Sequence, residues 1–288
     1  MCSTTTNVLW LFVAASASAQ TSYTFTTFAV RNSTYTDAIG INERGDVAGY
    51  YGVPSTSLFQ GFLRVASGEI TTISYPGQSV TTAYGLNRFR VVAGTYATGS
   101  SGGFLFRQGT YKSIIIEGQS TGVNDINDYG YYAGSYGSPR SAGFIASPSG
   151  QITTLNYPGA YATGVNWIKN DGAVIGTYQD NFGKLHTFVW SAKSGFMPVE
   201  IPGLPGASIN DINASGAVVG GYFNGITDRG FVYQNGKFQI VLPPGFNDSI
   251  VGAINNKGQL VGSCSTPSTT QIGFIATPVA VSAPAADR

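Results

Sequence analysis

Histidine occurs once in this chain of 288 residues, at His186, and cysteine only twice, at Cys2 and Cys264. One histidine leaves any Ser-His or Cys-His catalytic arrangement a single residue to use, and the Cys and His spacings of a structural zinc site are absent. Charge is also scarce. Asp, Glu, Lys and Arg together make up 10% of the residues, the net charge is +1, and no basic run occurs. A nucleic-acid partner therefore lacks its electrostatic footprint, and an anionic membrane surface is disfavoured on the same grounds. Disorder is disfavoured too, because it needs high net charge and few aromatics, whereas this chain has 17 Tyr and 17 Phe. The apolar run "NVLWLFVAASASA" (7–19) is too short to span a bilayer. Its small residues Ala17-Ser18-Ala19 fit a cleavage site, so residues 1–19 read as a secretory signal peptide, although no Lys or Arg precedes the run. Cys2 would leave with it, and the mature chain, holding only Cys264, would have no internal disulfide.

What is abundant is glycine, with 39 residues and no Gly-X-Y period. Glycine sits inside a phrase that recurs six times: "AIGINERGDVAGYY" (38–51), "AYGLNRFRVVAGTY" (83–96), "GVNDINDYGYYAGSY" (122–136), "GVNWIKNDGAVIGTY" (164–178), "INDINASGAVVGGY" (209–222) and "VGAINNKGQLVGSC" (251–264). Its anchor positions, Gly45, Arg90, Gly130, Gly172, Gly216 and Gly258, lie 40 to 45 residues apart. After each copy comes "GFL" or a relative, and after five of the six comes a third phrase typified by "ITTISYPG". The first phrase reads as two strands joined by a tight turn, since Asn caps its own turn and Gly accepts a positive φ. The second and third phrases supply two further strands, and "PG" ends the unit. A period in the low forties holding four strands is the signature of a propeller blade.

The sixth unit stops after "GFIATP" (273–278) without a fourth strand, while Phe25-Thr26-Thr27-Phe28 aligns with Ile70-Thr71-Thr72-Ile73 near the other end. The expected fold is therefore all-β: one six-bladed β-propeller of four-stranded blades over residues 20–278. Its N-terminal strand completes the last blade and closes the ring. Residues 279–288 read as a disordered tail.

The triad of "GINxxGxVVGxY", "GFL" and "ITTIxYPG" resembles the HAF-repeat proteins, an extracellular bacterial repeat family. The named tripeptide is approached most closely at His186-Thr187-Phe188. That resemblance implies secretion and a propeller, and it implies no reaction and no catalytic residues.

Function has to be argued from sites, because propellers host enzymes, binders and scaffolds alike. "DINDYG" (125–130) has a faint likeness to a calcium loop, but the twelfth place is Tyr136 where a bidentate carboxylate is needed, and a hairpin fits better. Gly99-Ser100-Ser101-Gly102-Gly103 matches G-x-S-x-G in letters but lacks the strand-turn-helix context. Asp125 and Asp211 break the repeat where other blades have Gly40, Gly85, Trp167 and Ala253. They are the acids a carbohydrate hydrolase or lyase would use near the channel, or else acceptors for their own turns. Tyr51, Tyr96, Tyr136, Tyr178 and Tyr222 end the second strand of five blades. They form either an aromatic ring for stacking sugars or the packing between blades. Trp167, Asp180, His186 and Asp228 complete the candidate ligand-binding set, the last three in or beside the individual loops of blades four and five. The first reading is a secreted or periplasmic, monomeric, non-enzymatic scaffold for a glycan or protein partner, without cofactor or metal. The rivals are the carbohydrate-active enzyme and a purely structural cell-surface protein.

Overall fold

The structure is a computed structural model that describes residues 21–279 apart from positions 99, 205 and 268. The expected signal peptide, and all of the expected tail except Val279, lie outside these residues. The described chain forms six four-stranded antiparallel sheets, one for each copy of the repeat, arranged as a six-bladed β-propeller. Blades one to five span 36–73, 80–114, 121–155, 162–199 and 208–241, each in simple meander order. The sixth combines three strands between 248 and 278 with the N-terminal strand Tyr23–Phe28. That strand pairs antiparallel with Thr269–Pro278, with Tyr23 opposite Pro278 and Phe28 opposite Gly273. Ile73 occupies the same place opposite Gly61 in blade one, which is the alignment expected from the sequence.

Each repeated letter has a packing reason. The Phe of the second signature (Phe62, Phe104, Phe144, Phe188, Phe231 and Phe274) is fully buried in every blade. Fully burying one such side chain stabilises the fold by about 1.5–3 kcal/mol. Each lies directly across from the glycine of the second strand, as Phe144 does from Gly134. A Cβ on Gly134 would stand 1.9 Å from the carbonyl oxygen of Gly122 on the inner strand. Glycine lets three strands and a ring stack at that point, and alanine has no room.

The inner strands carry the feature that shapes the channel. In each of them the pairing register slips at the same point, between Ala38/Gly40, Ala83/Leu86, Val123/Asp125, Val165/Trp167, Ile209/Asp211 and Val251/Ala253. Such a bulge leaves an extra residue out of the ladder and re-aims the side chains beside it. Asn124 and Asp125, adjacent in sequence, consequently line opposite mouths of the channel, as do Asn210 and Asp211.

Candidate functional site at the central channel

The hairpin turns of the inner strands surround one mouth, and a ring of asparagines ties them together. Asn42, Asn87, Asn127, Asn213 and Asn255 each accept two backbone N–H groups of their own turn on Oδ1. The amide of each also donates to the next blade. Asn42 reaches the Asn87 carbonyl at 3.1 Å, Asn87 that of Asn127 at 3.1 Å, and Asn127 that of Lys169 at 3.0 Å. Asn213 reaches Asn255 at 3.3 Å, and Asn255 reaches Asn42 at 3.0 Å across the ring closure. A second circle lies just outside it: the Arg88 N–H donates to Asp128, the Asp128 N–H to Asn170, the Ala214 N–H to Asn256 and the Asn256 N–H to Glu43.

Blade four breaks the asparagine ring by carrying Lys169. Its ammonium donates instead to Asp211 Oδ1 of blade five at 2.5 Å, so an ion pair replaces the amide bridge. Asp211 Oδ1 also accepts the Ile212 N–H at 2.7 Å, and Oδ2 accepts the Ile254 N–H of blade six at 3.1 Å. Asp125 is placed in the same way. Its Oδ2 accepts the Ile168 N–H of blade four at 3.0 Å. A Cβ on Gly85 of blade two would stand 2.0 Å from its Oδ1. The carboxyl of Asp125 is thus wedged between two neighbouring blades, and burial pushes its pKa up to about 7. The Ile168 N–H and the Lys169 charge offset that rise only in part. The reading of these acids as acceptors for their own segments holds for Asp211 with the Ile212 N–H, and each acid in addition accepts a backbone N–H from the following blade.

Asp125, Lys169, Asp211 and Trp167 line one cavity of about 510 Å³ at this turn mouth, together with the rim residues Glu43, Asp128 and Asp171. Trp167 is 9% exposed and belongs to one packed cluster with Ala38, Ile39 and Ile41 of blade one, on the opposite side of the ring, and Ala253 of blade six. It lines both this cavity and the one at the far mouth, and so divides the channel.

The five tyrosines lie elsewhere. Tyr51, Tyr96 and Tyr136 point outward across their sheets, their hydroxyls meeting Thr72, Ser113 and Thr154 of the outer strands. Tyr96 stacks on Tyr75 at 4.0 Å, Tyr178 on Tyr157 at 3.7 Å, and Tyr222 meets Phe238 edge-on at 5.5 Å. The structure thus places them in packing roles at the blade flanks, and none lines either channel cavity. His186 Nε2 lies 3.0 Å from Asp180 Oδ2, and its ring stacks on Tyr178, making a small polar cluster on the outer part of blade four. The hydrogen bond with His186 holds the Asp180 carboxyl below its usual range. Asp228 begins the third strand of blade five, where its N–H donates to Asp248, and it does not share the cavity beside His186. Cys264, the cysteine at the place of the missing sixth tyrosine, is buried and outside any disulfide, its thiol pushed up to about 12 by burial.

Sequence reasoning missed the residue at the bulge. Asn124, Asn166 and Asn210 stand one place before the noticed acids and Trp167, and their repetition in three successive blades was the available signal.

The class that this fold and channel define is the six-bladed β-propeller. No family model and no curated protein matches the chain. Among solved structures, TolB from Acinetobacter baumannii is similar with a TM-score of 0.57 at 13% identity, over 81% of this chain and 63% of that one. The chain thus spans less than two thirds of TolB's length. AofleA from Arthrobotrys oligospora has a TM-score of 0.56 at 12% identity, over 94% of both chains. A structure from a study of two prolyl endopeptidases gives 0.53 at 13% identity, over 89% of this chain and 42% of that one. At such identities the likeness is one of fold.

Proposed function

We propose that the chain is a secreted propeller, of the kind the HAF-repeat motifs suggest, acting as a non-enzymatic scaffold that holds a glycan or protein partner in its turn mouth. One observation carries this reading: in the most conspicuous acid of the cavity, Asp211, both carboxylate oxygens are engaged by Lys169, Ile212 and Ile254. A base or nucleophile there would first have to give up bonds that join blade to blade. A rigid, concave, hydrogen-bonded cavity is well suited to binding, because little ordering remains to be done when a ligand arrives. Among the described residues no helix is long and apolar enough to cross a membrane.

A glycan array tests the reading with the purified chain. Retained ligand with no released product supports it. Released oligosaccharide that disappears in Asp211→Asn overturns it in favour of a hydrolase or lyase. That second reading has its own support, because burial raises the Asp125 carboxyl to about 7, the range of a general acid, and Asp211 lines the same cavity.

A further inference from the structure

The opposite mouth, on the face of the loops that join successive blades, opens into a second cavity of about 570 Å³. That size falls in the range of about 300–1,000 Å³ used by small-ligand sites. Its floor is Trp167, one wall is Tyr84, and its polar groups are the three bulge asparagines facing Asp37, Ser263 and Gln271. Among the described residues no Lys or Arg lines it, so it carries no cationic side chain to favour an anion. Asp37 is its single carboxyl. Burial raises the pKa of Asp37, and side-chain hydrogen bonds with Ser263, Tyr50 and Gln271 occupy it, so it anchors its neighbours and is poorly placed to capture a cation.

The asparagines are the unusual part. Asn124 donates its amide to the Val165 carbonyl of the next blade at 2.7 Å, and Asn210 does the same to Val251 at 2.8 Å. Each is held rigidly with its Oδ1 left to accept. Asn166, the same position in blade four, makes no such bond and has no hydrogen-bond partner among the described residues, although it is half-buried and lines the cavity. A carboxamide offers two donors and an acceptor that can take two hydrogen bonds. Three such groups on consecutive blades, above an indole, match a ligand whose hydroxyls both donate and accept and whose ring has an apolar face.

We propose that the loop mouth is a binding site for a neutral pyranose, with Asn124, Asn166 and Asn210 bonding its hydroxyls and Trp167 underlying its ring. Aromatic surface supplies contact area at small entropic cost, and the unpartnered Asn166 amide gains hydrogen bonds it otherwise makes with water. The site extends the binding reading to the far side of Trp167; that indole lines both cavities, so the two are told apart by Asn166, which lines only the loop mouth, and Asp211, which lines only the turn mouth.

The test titrates methyl pyranosides of several configurations into the full chain carrying Trp10→Phe and Trp190→Phe, in which Trp167 is the one remaining indole. At least one sugar should change the Trp167 emission with saturation. Asn166→Leu should weaken that sugar at least tenfold. Because Asn166 has no hydrogen-bond partner among the described residues, Asn166→Leu should also melt with the parent, which separates lost binding from lost structure. Glu117→Gln, on an exposed outer turn of blade two, should leave the affinity unchanged. The proposal is overturned if no pyranoside saturates, if inorganic phosphate or a short amide-rich peptide binds there in its place, or if Asp211→Asn abolishes binding while Asn166→Leu does not.

Discussion

Replacing Asp125 by asparagine separates the charge of this side chain from its shape. The substituted amide keeps an oxygen for the Ile168 N–H and fills the same space beside Gly85. In the native chain burial lifts the carboxyl from its ordinary 3.8 to about 7, roughly three pH units. Each unit corresponds to about 1.4 kcal/mol, so the native fold forfeits at most about 4 kcal/mol when the solution is alkaline enough to ionise Asp125. The direction follows from the folded pKa lying above the unfolded one. The contribution of the protonated side chain is complete below about pH 4, declines as pH rises toward about 7, and is gone above that. The carboxamide of the Asp125→Asn variant has no proton to lose. Melting temperatures of the two chains measured from pH 4 to pH 8.5 should therefore diverge with rising pH, the variant gaining on the order of 10 °C at most. Any pH-independent offset between them reports only the altered hydrogen bond. Two curves that stay parallel across the range, or a native chain that gains on the variant as pH rises, would refute the buried-carboxyl account.

The remaining expectations concern the scaffold. Arg90 stands where the other blades have glycine, with φ at 59°, and its guanidinium grips the buried Asp46 at 2.9 and 3.2 Å. Arg90→Ala keeps the backbone strain and loses the ion pair, so it should cost about 1–3 kcal/mol in urea unfolding. Arg90→Gly should cost less, because it relieves the strain. Burial alone would raise the Asp46 pKa, but hydrogen bonds from Arg90, Asn42 and the Ala66 N–H depress it. The Arg90 effect should accordingly be full near neutral pH and shrink as the solution is acidified below about pH 4. Gly134→Ala should destabilise the fold by about 3 kcal/mol or more, read as a sharply lower urea midpoint, because its Cβ would collide with the inner-strand backbone. An unchanged midpoint would mean the inner strand yields more than its packing suggests.

The blade count and the closing strand were legible in the sequence because they depend on local patterns: a glycine turn, a Phe near the middle of each third strand, and Phe25–Phe28 in phase with Ile70–Ile73. The turn-capping half of each asparagine was legible for the same reason. The other half, the amide reaching the neighbouring blade, depends on the spacing of inner strands around the axis and leaves no mark within a single repeat. Asp125 shows the difference. Its partner Ile168 lies 43 residues away, one full repeat onward, so only the assembled ring discloses what it holds. The tyrosines left two readings open. Their even recurrence suggests a shared surface, but a side chain at the end of a second strand can turn toward the channel or toward the outer strand, and packing beside the buried Phe decides for the latter. The bulge asparagines stayed hidden because a register slip of one residue is invisible in a pattern of alternating side chains.

The junction that completes blade six has a mechanical character that the other five blades lack. Tyr23 and Pro278 pair at the same end of two antiparallel strands, and Ser22 and Val279 are joined just beyond them. Tension applied through the flanking chain meets these pairs in sequence, starting at the edge, so the strands peel apart like a zip and never share the load. Elsewhere around the ring both ends of each blade are tied into its neighbours, and a pull reaches them only after this seam has opened.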